Sequence, residues 1–225
     1  MNKKKIQKVV ILVSILLLPS LFYLVLYTGE NHFHPLPFLG PRTVVEGSTT
    51  DTMYHQIPKF EFTNQLGEKI TQADYQGKIY VADFFFATCP SICPKMATHM
   101  LELQKHFYDR KDFRLLSHTV NPEHDTVEVL FEYARKVHAI DSLWDFVTGN
   151  KEDIYKVAFE GYFANAMEDE VAPGGFLHSS NLFLIDRKGR IRGIFDGTMT
   201  TEVNDLMDAI EILYREDYAP LKDKS

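Results

Sequence analysis

Between residues 9 and 27 the run VVILVSILLLPSLFYLVLY contains no ionisable group other than tyrosine phenols. As a helix rising ~1.5 Å per residue, it matches the roughly 30 Å thickness of a bilayer's hydrocarbon core. The run therefore predicts one membrane-spanning helix, which Pro19 would kink but which lipid-embedded helices tolerate. A secretory signal peptide also has a basic start and an apolar run. This one is longer than a usual signal core and no small-x-small cleavage triplet follows it, so the expectation is an uncleaved anchor. Lys3, Lys4, Lys5 and Lys8 precede the run, and positive charge stays on the cytoplasmic side. Residues 1–8 are then a cytoplasmic basic tail, and everything after residue 27 is exported. The start of the chain has none of the Arg- and Ser-rich amphipathic character of an organelle leader. The expectation is a single-pass protein of a bacterial cytoplasmic membrane with its bulk on the periplasmic or extracytoplasmic side.

The remainder has the composition of a folded domain. The chain is 45% apolar and 13% aromatic, with 12 Gly and 10 Pro, which excludes disorder and collagen-like repeats. A formal charge of −7 disfavours nucleic acid as a partner, because phosphate binding draws on Lys and Arg. Residues 28–56 resemble a linker, with His32, His34, Pro35, Pro37, Pro41 and then GSTTDT. The two histidines lack a third ligand nearby, so they read as polar linker residues. A domain is expected over 57–216, and 217–225 form a C-terminal tail.

Within that domain strands alternate with amphipathic helices. FEFT, a bend at Leu66-Gly67, and KIT suggest a hairpin. KIYVADFFFA (78–87) is the continuous apolar run of a strand covered on both faces, expected in the middle of the sheet. Met96, Met100, Leu103 and Phe107 recur at helical spacing directly after it, which favours core packing over sulfur ligation for the two methionines. FRLLSHTV (113–120) is a second strand, and Asp125 with Glu128 three residues later looks like a capping box for the next helix. A strand at 144–147, a helix capped by Asn150, a hairpin around Arg187-Lys188-Gly189 and a helix starting at Thr200 complete a thioredoxin-like α/β sandwich.

The only cysteines, Cys89 and Cys93, lie in FFFATCPSICPKM where the central strand turns into a helix. The carboxyl ends of strands in open α/β sheets are where ligand chemistry is placed. A turn there is expected to expose both thiols, with Pro94 at the first helical position and Cys93 near the N-cap, its thiol pKa lowered by the helix terminus. Three intervening residues allow a disulfide but would restrain little chain if the bridge were purely structural. They also let both sulfurs converge on a soft metal such as Cu(I) or zinc, with a third ligand from elsewhere. His178, in GGFLHSSNLFLID, sits just before a strand that should run beside the cysteine turn, with Gly174 and Gly175 allowing its loop to fold over. His55, His99, His106, His118, His124 and His138, like His32 and His34, show no such convergence and are expected at the surface or in the linker.

These motifs together resemble the SCO/SenC copper metallochaperones. DYQGKIYVADFFFATCPSICPKM is similar to that family's strand and Cys-x-x-x-Cys-Pro turn, HTVNPEHDTVEVLFEYA to its next strand and helix, and LHSSNLFLIDRKGRI to its His-Ser strand and hairpin. The resemblance spans about residues 60–214 and implies copper ligation by Cys89, Cys93 and His178, with delivery to a thiol-rich acceptor, the copper centre of a cytochrome c oxidase subunit. Family members often carry Asp where this chain has Ser91 and Asn121, which bears on partner recognition or redox tuning and not on ligation. A peroxiredoxin would need Thr at the position of Phe86. Two other roles for the same residues stay open: a membrane-tethered thiol-disulfide oxidoreductase in which Cys89 exchanges and Cys93 resolves, and a copper or redox sensor.

Overall fold

A computed structural model of the chain describes residues 3–28, 35–44, 52–164, 167–168, 176–177 and 180–216. It has two compact units, divided after residue 34. The first contains helix α1 (Lys3–Thr28), with Pro19 inside it and the Ser20 hydroxyl donating to the Leu16 carbonyl at 2.8 Å. Its Lys3–Leu24 portion is long and apolar enough to cross a membrane.

The second unit opens with a short antiparallel pair, β1 (Arg42–Val44) and β2 (Thr52–Tyr54). The expected hairpin follows as β3 (Glu61–Asn64) and β4 (Lys69–Thr71). At its bend Gly67 has φ +80°, which glycine adopts without the steric cost a side chain would bring. The Asn64 Oδ1 holds the turn by accepting from the amides of Leu66 and Glu68 at 3.0 and 2.9 Å. A single 3₁₀ turn (Gln72–Tyr75) leads into β5 (Ile79–Phe85), all of whose residues are buried. Then α2 (Cys93–His106), β6 (Phe113–Thr119), α3 (Val127–Lys136) and β7 (Trp144–Thr148) continue the alternation. Asn150 caps α4 (Lys151–Lys156) through the amides of Glu152 and Asp153, and α4 passes into a π-helical turn at Val157–Gly161. β8 (Met167–Glu168) pairs with β9 (Phe176–Leu177), and β10 (Asn181–Ile185) with β11 (Ile191–Asp196). Last comes α5 (Thr200–Glu216), which buries Val203, Leu206, Ile210 and Leu213.

Seven strands form one sheet in the order β11-β10-β5-β6-β7-β3-β4. β5, β6 and β7 are mutually parallel, and the remaining pairings are antiparallel. The middle strand is β6; β5 lies beside it, also interior. Both parallel crossovers step the same way, so the right-handed rule puts α2 and α3 on one face. Ring contacts agree: Tyr133 of α3 meets Phe85 and Phe146 there, while Phe84, His118, Tyr162 and Phe183 pack together on the other face. This is a thioredoxin-like α/β sandwich.

Two local expectations change. The N-cap of α3 is Thr126, whose hydroxyl accepts from the Val129 amide, and Asp125 turns inward instead. Part of the segment read as linker, residues 35–44, is docked. Leu36 and Leu39 pack against the core, and the Leu39 amide donates to the Ile191 carbonyl at 2.9 Å. Arg192 is only 2% exposed. It donates to both carboxylate oxygens of Glu216 at 2.8 and 2.7 Å and to the carbonyls of Leu36 and Pro37 at 2.7 and 3.1 Å. Its guanidinium also lies 4.3 Å from the Phe38 ring centre. Prolines give this stretch the look of a spacer; its interleaved Leu36, Phe38 and Leu39, together with Arg192, bind it down.

Candidate metal centre

β5 ends at Phe85, and the chain closes a turn in which the Cys89 amide donates to the Phe86 carbonyl at 3.1 Å. α2 then begins at Cys93, one position earlier than the spacing suggests. Ile92 occupies the N-cap without a side-chain cap, and Pro94 is the second helical residue. The thiols are not exposed as expected: Cys89 is 7% and Cys93 2% accessible. No disulfide joins them.

The two sulfurs are hydrogen-bonded to each other, and their acidities are driven apart. Burial raises the Cys93 thiol well above the ordinary range, and its bond to Cys89 raises it further, outweighing the lowering effect of a hydrogen bond from the Phe86 backbone. This corrects the expectation that Cys93 is the activated thiol; the apolar packing around the start of α2 overrides the terminus. Cys89 is the lowered one. Burial opposes ionisation there, but hydrogen bonds from the Cys93 side chain, the Ser91 and Cys93 backbone and the Ser91 hydroxyl together win. The Ser91 oxygen stands 3.9 Å from the Cys89 sulfur.

Beneath the cysteines lies a carboxylate that the sequence reading passed over. Asp83, on β5, is buried, and its Oδ1 has no hydrogen-bond partner among the described residues. Burial pushes its pKa up to about 7, although a hydrogen bond from Ser117 partly offsets this. Its charge is felt by Cys93. The signal was present in VADFFF, because a lone acid in a strand covered on both faces needs a reason to be there. Asp125, fully buried, accepts from the Ala87 amide at 3.0 Å and so grips the cysteine turn.

Several histidines depart from the expected surface placement. His99 is buried on the inner side of α2, where its Nδ1–H donates to the Gly197 carbonyl at 2.7 Å. His118 is fully buried among Phe60, Phe62, Phe84 and Tyr162, and neither ring nitrogen has a partner among the described residues. Burial alone drops its pKa to about 3. His55 is half-buried and donates to the Gly161 carbonyl at 2.7 Å. His106, His124 and His138 are exposed. Met96 and Met100 are buried in the core, as their spacing predicts. His178, Gly174 and Gly175, like His32 and His34, lie outside the described residues. Among the described residues no group of three His, Cys, Asp or Glu side chains is arranged to hold a metal ion.

The sequence model of the SCO1/SenC family matches residues 48–213. The chain belongs to the SCO1/SenC family. Among its relatives is the SCO1 protein homolog of Bacillus subtilis (strain 168), 28% identical over 163 residues, which are 72% of this chain and 84% of the relative. The solved structure of BsSco, described as a member of the Sco family of cytochrome c oxidase assembly proteins with a disulfide switch, superposes with a TM-score of 0.63 at 28% identity; the match covers 71% of this chain and 93% of that one. Bradyrhizobium japonicum ScoI, solved with copper bound, gives 0.58 at 25% identity, covering 70% of this chain and 97% of the other. The family match lies in the unit that carries the Cys89–Cys93 turn.

Proposed function

We propose that this SCO1/SenC protein is a membrane-anchored copper chaperone. Copper is its cargo, held by the sulfurs of Cys89 and Cys93 and the imidazole of His178 and passed to a thiol-rich acceptor, the copper centre of a cytochrome c oxidase subunit. Residues 9–27 anchor it, and the cysteine-bearing domain acts outside the cytoplasmic membrane. The observation that carries the reading is the pairing of two unbridged, soft sulfur donors at the carboxyl end of an interior parallel strand.

Support for the third ligand comes from the sheet. β10 runs antiparallel to β5 with Phe183 opposite Ala82, so Asn181 starts β10 at the end where β5 delivers the cysteine turn. The start of β10 is tied to α2: the Gly197 amide donates to the Ser180 carbonyl at 2.7 Å, and the Gly197 carbonyl accepts from His99. His178 is two residues before Ser180. Two thiolates with Cu(I) carry one negative charge and with Cu(II) none, so either oxidation state is electrostatically acceptable. Three ligands leave a position for an incoming thiolate of the acceptor, and transfer proceeds by exchanging ligands one at a time.

A second reading is favoured by the split acidities. A thiol-disulfide oxidoreductase needs one ionisable attacking thiol and one protected resolving thiol, which is how Cys89 and Cys93 stand. Copper titration of the reduced full chain against a competing chelator separates the two. His178→Ala should weaken copper binding at least tenfold while leaving dithiol exchange largely intact, and Cys89→Ser should abolish both. Undiminished copper affinity in His178→Ala would remove the proposed ligand set.

A further inference from the structure

We propose that Asp125 is a positioning residue for the Cys89–Cys93 pair, acting through the peptide that joins Phe86 to Ala87. Both polar groups of that peptide are engaged. Its N–H donates to Asp125 Oδ2 at 3.0 Å, and its carbonyl accepts from the Cys89 amide at 3.1 Å. One step earlier, the Phe86 backbone makes the hydrogen bond felt by the Cys93 sulfur. Turning this peptide would disturb the backbone partners of both cysteines at once, and the carboxylate is what prevents it from turning.

Asp125 is itself held from three further directions. Its Oδ2 also accepts from the Thr119 hydroxyl at 2.5 Å, its Oδ1 pairs with His124 Nδ1 at 2.9 Å, and its amide donates to the Asn121 carbonyl at 2.9 Å. Thr119 ends β6 directly opposite Phe85, the last residue of β5. The carboxylate thus fastens the tips of two adjacent strands to the turn that leaves one of them. A buried carboxylate is costly unless hydrogen bonds replace its water, and here three side-chain and backbone donors do so. Helix capping does not explain the arrangement, because Thr126 caps α3.

The inference takes from the proposed function only that the two cysteines are the working pair, and its test uses no metal. The full-length, metal-free chain in detergent micelles is equilibrated with glutathione. Cys89 and Cys93 together give up two protons and two electrons to form a disulfide, while one oxidised glutathione becomes two reduced ones. Asp125→Ala should move this equilibrium about tenfold toward the disulfide, a ~30 mV shift for a two-electron couple, because the reduced pair loses its fixed hydrogen bonds. Asp125→Asn keeps an acceptor oxygen for Ala87 and Thr119 and should stay within twofold of the parent. Val203→Ala, on α5, controls for lost stability and should leave the equilibrium unmoved. Should Asp125→Ala fail to fold, Thr119→Val removes one of the carboxylate's restraints and should shift the equilibrium about threefold in the same direction. The inference is overturned if the folded variants stay within error of the parent, or if Val203→Ala shifts as far as Asp125→Ala. A chain that shows the shift but holds no copper overturns the delivery reading alone; one that holds copper without the shift overturns this inference alone.

Discussion

Replacing His118 with Leu should flatten the acid side of the stability curve. The imidazole sits in an aromatic cage, its nitrogens without partners among the described residues, and its pKa falls from the ordinary 6.5 to about 3 because burial penalises the cation. The folded state therefore binds fewer protons than the unfolded state between those two values. Stability from this group is complete above pH 6.5 and is lost as pH falls toward 3, at ~1.4 kcal/mol per pH unit. From pH 8 down to pH 4.5 the loss amounts to about 2.7 kcal/mol, a large part of the 5–15 kcal/mol typical of a domain. Guanidinium unfolding followed by far-UV circular dichroism at several pH values gives both curves. The parent minus variant difference should change by about that amount across the window, whatever offset the lost ring contacts add. Parallel curves would mean that the imidazole reaches a proton partner or water in the folded state, and the argument from desolvation would fail.

Asp83 works in the opposite sense. Its pKa is raised from 3.8 to about 7, so its contribution is present below the lower value and lost as pH rises through the upper. Asp83→Asn should be nearly neutral at pH 4 and stabilising at pH 8, by up to about 4 kcal/mol; no pH dependence in the parent–variant difference would refute the shift. Arg192→Met leaves the half-buried Glu216 carboxylate without its bidentate partner and frees the Leu36 and Pro37 carbonyls. A stability loss of about 3–5 kcal/mol is expected, with faster trypsin cleavage after Arg42. Unchanged proteolysis would show that the 35–44 segment is held by its apolar side chains alone.

The features legible in the sequence are those encoded by periodicity and turn chemistry. Glycine at position 67, the apolar run of β5, the helical recurrence of Met96, Met100 and Leu103, and the Asn150 cap each act within a few residues of themselves. The short crossovers place β5, β6 and β7 side by side, whereas the antiparallel pairings of β10 with β5 and of β3 with β7, which leave β6 and not β5 in the middle, are set by contacts distant along the chain. The missed features depend on partners distant along the chain. Asp125 and Thr126 are both good capping residues, and only the Ala87 amide, 38 positions back, decides which one turns inward. His118 alternates with Ser117 on β6, and nothing local says that four aromatic rings close around it. The acidity order of the cysteines is hidden for the same reason: the helix terminus is a local signal, while the burial that overrides it is assembled by the whole fold.

Trp144 is the only tryptophan in the chain. Its indole N–H donates to the Ser117 hydroxyl at 2.9 Å, and Ser117 in turn hydrogen-bonds Asp83, whose charge acts on Cys93. The protein thus carries a built-in optical reporter wired by two hydrogen bonds to the floor of its thiol centre. Changes of charge there will colour its ultraviolet emission without any added dye.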